Sequence, residues 1–248
     1  WVSRESEKQV RATHSSEAPE EMEHPAIEEA GGNVRFLLQR GFLGPGTLLA
    51  HCVHLRPREA EILASTGTAA VHCPWTNLRL GSGIADVPAL NSAGVRVALG
   101  SDGAPCNNGL DLAADLRLAM SLASIRRRPS GLPGSFWLRA ATEAAAQALG
   151  WREVGRLQEG WRADIVLLEP TELEWQQIVT GDDPVRALLE LHWPSRVRMT
   201  MVDGRVLYRD GEYPTLPAST EDIASLRRNL ARRAGLEHHA RLLVARRR

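Results

Sequence analysis

The sequence lacks a net charge, because 30 acidic side chains balance 30 basic ones. A chain without an overall field is not drawn to nucleic acid or to a membrane surface. It also lacks any uninterrupted apolar run near the roughly 20 residues that a membrane-spanning helix requires, and its first residues lack the apolar core of a signal peptide. An apolar share of 43% is nonetheless typical of a globular protein.

Cysteine is scarce and unpaired. The three cysteines, Cys52, Cys73 and Cys106, make an odd number with no paired spacing. This excludes a disulfide framework and fits a reducing compartment, so we expect a cytoplasmic protein. Arginine crowds the C-terminal segment, but aromatic residues are not interleaved with it, and we interpret it as a solvated helix end rather than as a nucleic-acid-binding surface.

The most informative stretch is VRVALGSDGAPCNN, from Val95 to Asn108. Its apolar run stops at Asp102 among small residues, which predicts a buried strand that delivers this side chain into a tight loop. Catalytic groups of parallel α/β folds lie in such loops. Two apolar runs upstream end in the same way, one at His14 and one at His51, so all three side chains are predicted at the same end of their strands.

The sequence pattern that indicates secondary structure changes near Gly150. Before it, apolar strands alternate with helical segments, which favours a parallel sheet covered by helices. We predict a polar loop over 74–83 and one helix over 135–149 in this part. After it, glycines punctuate short strands, including 185–191 and a hairpin with Asp203 and Gly204 at its turn, and a closing helix is predicted that Ser219 or Thr220 caps.

Several motifs together resemble the metal-dependent amidohydrolase superfamily, and the branch that holds methylthioadenosine and S-adenosylhomocysteine deaminases, triazine hydrolases and guanine deaminases. The likeness spans nearly the whole chain. It is carried by THSSE at 13–17, AHCVHL at 50–55, HCPWTNLRLGSGIADVP at 72–88, LGSDGAPCNN at 99–108, GRLQEGWRADIVLLE at 155–169 and MVDGRVLYRDGEY at 201–213.

The resemblance implies the α/β fold class, as the C-terminal half of a TIM-type (β/α)8 barrel. Residues 1–150 would supply barrel strands five to eight, 151–218 part of a small β-sandwich, and 219–248 a C-terminal helix with a basic tail. The family's first strand carries a His-x-His metal-binding pair, and no such pair is present here. We therefore expect a C-terminal fragment that is inactive alone, and exposed strand edges that favour a homo-oligomer.

The resemblance also implies the chemistry. His14 and Asp102 would bind one divalent metal, zinc or else iron, and Asp102 would take a proton from water. His51 would orient the nucleophile, and Glu17 would protonate a ring nitrogen of the substrate. An offset of three residues puts two side chains on opposite faces of a strand, so His14 and Glu17 can act together only if the strand ends or bulges near Ser15.

Other residues near these motifs have lesser predicted roles. His72, Trp75 and Asn77 are candidates for contact with a small heterocyclic substrate, together with Glu17 and His51. His54 is interpreted as a structural residue that holds a loop.

Three functions remain open at this point. The leading one is a hydrolytic deaminase that releases ammonia from an amino-substituted purine or a related N-heterocycle. The second is a triazine-type chlorohydrolase or amidohydrolase; a glutamate at position 17 favours deamination, because an amine leaving group must be protonated. The third is an inactive half that only binds partners.

Overall fold

The computed structural model describes residues 10–126, 131–214 and 220–233. Its first part is a parallel four-stranded sheet in the order β1-β2-β3-β4. The strands are β1 (Arg11–Ser15), β2 (Thr47–His51), β3 (Ala69–His72) and β4 (Val97–Leu99). Sequential order and parallel pairing confirm the predicted strand-helix alternation.

Helices connect these strands and cover the sheet. Those between the strands are α1 (Pro25–Ala30), α2 (Asn33–Gln39), α3 (Glu59–Thr66), α4 (Pro74–Arg79) and α5 (Val87–Ser92). Those after β4 are α6 (Ala104–Asn107), α7 (Leu112–Arg126), α8 (Gly134–Ala141) and α9 (Glu143–Ala148). The shared core includes Leu49 of β2, Val97 of β4, Met120 of α7 and Trp137 of α8, all buried.

A second, antiparallel sheet follows, with strands in the order β5-β6-β7. The strands are β5 (Ile165–Leu168), β6 (Val197–Val202) and β7 (Arg205–Arg209), and the helices are α10 (Glu172–Thr180), α11 (Pro184–Glu190) and α12 (Thr220–Arg233). The predicted hairpin is confirmed: Asp203 and Gly204 join β6 to β7, both with positive φ. Helix α12 agrees with the predicted closing helix, whereas Ser219 and the basic tail from residue 234 lie outside the described residues.

Three predictions of secondary structure were wrong. Helix α11 occupies the predicted strand 185–191, because Asp183 accepts a hydrogen bond from the backbone N–H of Arg186 and Pro184 fits the first helical turn. Helix α4 begins inside the predicted loop, at Pro74, which likewise fits the first helical turn, although Cys73 before it makes no side-chain capping hydrogen bond. The predicted helix 135–149 is two helices, interrupted at Thr142 with φ −129° and ψ −93°.

None of the helices in the described ranges is long and apolar enough to cross a lipid bilayer.

The contact between α8 and α11 gives a direct test of this packing. A Cβ at Gly134 would overlap the backbone of Val185 and Arg186, whereas a Cβ at Gly109 would meet nothing within 4 Å. We expect Gly134→Ala to lower the free energy of unfolding in urea by about 1–3 kcal/mol, and Gly109→Ala to change it by less than about 0.5 kcal/mol. Equal stability of the two variants would contradict the close approach of these helices.

Candidate active site

The carboxyl ends of the four parallel strands form one edge of the sheet, and the predicted site residues lie along it. His14 is on β1, His51 and His72 are the last residues of β2 and β3, and Asp102 follows β4. The register pairs Ser15 with His51 and His72 with Leu99, which brings neighbouring strand ends level with one another.

The backbone reverses immediately after β1. The strand ends at Ser15, and Ser16 has a left-handed φ of 54°. This turn removes the strand alternation that would separate His14 from Glu17, and the condition set by the sequence is met. Among the residues that the structure describes, His14, Glu17 and His51 form the only group of three or more His, Cys, Asp or Glu side chains whose ligand atoms all lie within 4.8 Å of one another.

His51 is held in a fixed orientation. Its ring is buried, and its Nδ1 lies 2.8 Å from the Oδ1 atom of Asn77. Because an amide oxygen only accepts, Nδ1 donates its proton to Asn77, and in the neutral form of the ring the lone pair lies on Nε2. Nε2 lies 3.6 Å from a carboxylate oxygen of Glu17, too far for a hydrogen bond, and has no hydrogen-bond partner.

This donor set fits a divalent metal ion. Two imidazoles and a carboxylate are ligands that zinc accepts, and the unpartnered Nε2 of His51 is available to an ion or to a nucleophile beside it. His14 is exposed, so the group is open to solvent on that side.

Asp102 lies outside the group of three, at the other edge strand of the same sheet. Its φ of 58° is left-handed, as are those of His51 at 75° and Cys52 at 48°. Left-handed non-glycine residues cost energy and cluster at functional sites. Left-handed residues thus occur at the ends of three strands of this sheet: Ser16 after β1, His51 and Cys52 at the end of β2, and Asp102 after β4.

Two thiols near these strand ends, those of Cys52 and Cys73, are poor candidates for a nucleophile. Burial raises the pKa of Cys73 to about 12, with the negative charge of Asp102 as the next cause. Burial likewise raises the pKa of Cys52 to about 12, followed by the charge of Glu59. Both thiols stay protonated at neutral pH, so neither supplies a thiolate.

His72 is buried, and its Nδ1 has no hydrogen-bond partner. Burial and, to a smaller extent, the neighbouring His51 together lower the pKa of His72 to about 4. His72 is therefore a neutral imidazole at physiological pH, which can donate or accept a hydrogen bond without adding charge to the site.

Helix α4 carries the two remaining predicted residues. Trp75 is 43% exposed, whereas Asn77 is buried and uses its Oδ1 to hold His51. The Nδ2 atom of Asn77 has no hydrogen-bond partner. The structural role of His54 is confirmed, because its Nε2 lies 2.7 Å from the carbonyl oxygen of Ser82 in the loop after α4.

Sequence reasoning missed two carboxylates that support the site. Glu21 accepts hydrogen bonds from the backbone N–H groups of Glu17 and Ala18, and its other oxygen accepts one from Asn33. Glu21 is the third residue of a short 3-10 helix, Pro19–Glu23, and a glutamate at that position was the available signal. Asp115 on α7 contacts the backbone of Trp75 and the side chain of Asn107, and these long-range contacts leave no local sequence signal.

A cleft of about 550 Å³ lies away from these residues, beside the antiparallel sheet. Its guanidinium groups are neutralised within the protein: Arg196 pairs with Glu174 at 2.7 Å, and Arg198 pairs with Asp210 at 3.0 Å. The cleft thus has cations that are already paired, and the sheet edge is the better candidate.

Comparison with known proteins decides the family. The sequence profile described as "Amidohydrolase family" matches residues 4–207. The chain belongs to the amidohydrolase family. Its resemblance to that superfamily is therefore confirmed, and the parallel sheet is the mixed α/β architecture expected for a relative of TIM-barrel enzymes.

Individual relatives of this amidohydrolase chain are about twice as long. A 5-methylthioadenosine/S-adenosylhomocysteine deaminase of Halobacterium salinarum is 36% identical over 228 residues, which cover 90% of this chain and 51% of the relative. A zinc-bound adenosine deaminase of Xanthomonas campestris superposes with a TM-score of 0.81 at 27% identity, over 91% and 51% of the two chains. A zinc complex of an atrazine chlorohydrolase of Arthrobacter aurescens superposes with a TM-score of 0.76 at 29% identity. The match covers 89% of this chain and 48% of the chlorohydrolase.

The low pKa of His72 predicts how stability depends on pH. The unfolded chain takes up a proton on this imidazole near pH 6.5, and the folded chain does so only near pH 4. As pH falls through this window the unfolded state binds more protons, so the native protein loses stability relative to a His72→Gln variant, by about 3 kcal/mol at full titration. Urea unfolding at several pH values, with EDTA present, measures the free energy of unfolding of both proteins. If the value for the native protein minus that for His72→Gln stays constant or rises as pH falls, the burial of a neutral His72 is contradicted.

Proposed function

We propose that the protein is a metal-dependent hydrolytic deaminase that releases ammonia from an amino-substituted purine or a related N-heterocycle. The observation that carries this proposal is the convergence of His14, Glu17 and His51 at the carboxyl edge of a parallel sheet, in a chain of the amidohydrolase family. The names of the Halobacterium and Xanthomonas relatives support deamination of an adenosine-like substrate.

The proposal includes an architecture. Strands β1 to β4 would be strands five to eight of a (β/α)8 barrel within 1–150, β5 to β7 part of a small β-sandwich within 151–218, and 219–248 a separate C-terminal helix and tail. Sequential parallel order and a match to about half of each relative support this assignment. Catalytic groups of such barrels lie at the carboxyl ends of the strands, where the candidate residues are found.

His14 and Asp102 are proposed to hold one divalent ion, zinc in the first instance. Glu17 and His51, which complete the group around His14, are proposed to act beside that ion rather than as its ligands. The imidazole and carboxylate donors suit zinc, and the Xanthomonas and Arthrobacter structures compared above contain it. When bound, such an ion lowers the pKa of a coordinated water toward about 7 and so supplies a nucleophile at neutral pH.

The side chains of this chain then divide the proton transfers between them. Asp102 accepts the proton of the attacking water. His51, fixed by Asn77 through Nδ1, presents the lone pair of Nε2 and orients the nucleophile. Glu17, held at its backbone by Glu21, donates a proton to the ring nitrogen next to the attacked carbon and then assists the departure of ammonia.

The neutral His72 and the residues of α4 are proposed to face the substrate. A buried imidazole with an unpartnered Nδ1 and a buried amide with an unpartnered Nδ2, that of Asn77, offer hydrogen bonds to ring nitrogens. Trp75 offers an exposed aromatic surface on the same helix. Heterocycles with several polar ring edges match these groups.

Hydrolysis of a triazine substituent is the second candidate function. The similarity to the atrazine chlorohydrolase favours it. The two candidates differ at Glu17, because chloride leaves without protonation whereas an amine does not. A third outcome, an inactive half that only binds partners, follows from the lack of a His-x-His pair in this chain.

The experiment uses the protein as expressed from its native gene. Zinc content is measured after purification, and ammonia and chloride release are assayed with adenosine analogues, guanine, cytosine, aminotriazines and chlorotriazines. Ammonia release from a purine supports the proposal. Chloride release alone supports the triazine alternative, and a protein that binds no divalent metal contradicts the enzyme assignment.

Glu17→Gln tests the proton donor. It keeps the size of the side chain but cannot donate a carboxyl proton, so we expect kcat/KM for deamination to fall by about 10²- to 10⁴-fold, with zinc content unchanged. The matched control is Glu20→Gln, which alters an exposed glutamate of the same segment. Retention of full activity by Glu17→Gln would remove Glu17 from the mechanism.

A further inference from the structure

Asp115 is a buried carboxylate that connects two parts of the site. It lies on α7 and is completely shielded from solvent. One carboxylate oxygen accepts a hydrogen bond from the backbone N–H of Trp75 at 3.4 Å, and the other accepts one from the Nδ2 atom of Asn107 at 3.0 Å. Burying a carboxylate costs free energy unless hydrogen-bond donors satisfy it. The two donors to Asp115, on Trp75 and Asn107, therefore indicate what this carboxylate holds in place.

The contact with Asn107 leads to Asp102. The same amide nitrogen of Asn107 also donates to the backbone carbonyl of Ser101, at 2.7 Å. Both protons of the amide are thereby used, one on each side. Ser101 immediately precedes Asp102, whose left-handed φ of 58° requires support from its surroundings. Asp115 therefore orients the amide that closes the loop carrying Asp102.

The contact with Trp75 leads to His51. Trp75 lies on α4 two residues before Asn77, and the Oδ1 atom of Asn77 accepts the Nδ1 proton of His51. A shift of α4 would move this acceptor away from the imidazole. One carboxylate thus anchors both the helix that orients His51 and the loop that carries Asp102.

We infer that Asp115 is a positioning residue, which sets the geometry of Asp102 and of the His51–Asn77 pair relative to each other through hydrogen bonds to Asn107 and to the backbone of Trp75. The inference rests on the proposed function for its catalytic consequence. Its structural content, that Asp115 orders the segment 101–108, which comprises the loop with Asp102 and helix α6, stands independently of any reaction.

The test is Asp115→Asn in the protein as expressed from its native gene. The amide has the shape of the carboxylate but only one acceptor oxygen, so one of the two donors loses its partner. We expect zinc affinity, measured by competition with a chromogenic chelator, to fall by about 10- to 100-fold. We also expect kcat to fall by about the same factor while KM changes less than about twofold.

Two further variants give the comparison. Asp111→Asn changes an exposed carboxylate four residues earlier, which accepts only a local hydrogen bond from Ala114 at the start of α7, and it should behave as wild type. Asn107→Ala removes the bridge to Ser101 but leaves Asp115 in place. It should weaken zinc binding like Asp115→Asn, and it serves as the test if that variant does not fold.

Hydrogen exchange in the metal-free protein separates this inference from the proposed function. Asp115→Asn and Asn107→Ala should lose protection over 101–108 relative to Asp111→Asn. If wild type releases no ammonia and binds no zinc, the proposed function fails, and this exchange measurement still decides the inference. Equal protection of the loop in all three variants, or zinc affinity that matches the Asp111→Asn control, would overturn it.

Discussion

The parallel pairing of β1 with β2 is the constraint on which the site depends. It places Ser15 opposite His51 and so fixes the distance between the two strand ends. The left-handed turn at Ser16 then carries Glu17 back toward His14 and His51. Without the register the imidazoles would not meet, and without the turn the carboxylate would face away from them.

Buried polar atoms without hydrogen-bond partners at the carboxyl edge of the parallel sheet lower the stability of the fold. The described residues contain seven buried side-chain nitrogen or oxygen atoms without a hydrogen-bond partner, and six of them lie at the strand ends or on α4. They belong to Ser15, Ser16, His51, His72, Thr76 and Asn77. Such atoms are destabilising unless water or substrate satisfies them. Their concentration at one edge is typical of a surface built to meet a polar molecule rather than of a core built only for packing.

The sequence was most informative where local patterns determine structure. Apolar runs located the parallel strands that end near His14, His51 and Asp102, and the Asp203-Gly204 turn located the hairpin, because each depends on a few neighbouring residues. Helix α11 was mistaken for a strand, since Val185 and the two leucines that follow it favour an apolar strand, whereas the helix start is signalled only by Asp183 and Pro184. Helix α10 went unrecognised, although Thr171 and Glu174 form a capping box that is legible in the sequence.

The residues of the candidate site could be predicted from the sequence, but the residues that hold them in place by hydrogen bonds could not. His14, Glu17 and His51 followed from strand ends and from a family resemblance, and the structure brings them together. That Asn77 fixes the tautomer of His51 depends on a contact across 26 residues, and the bond from Trp75 to Asp115 spans 40. Contacts of this range are set by how helices pack on the sheet, which no periodicity encodes.

Strand β1 has a further consequence for assembly. In the described part of the chain it pairs with β2 alone, so its other side presents free backbone donors and acceptors next to the exposed His14. A strand that paired along this flank would lie next to the strand residue that carries this imidazole. Pairing along this flank and the geometry of the candidate site are thereby coupled, because any shift of β1 also moves His14 relative to His51 and Glu17.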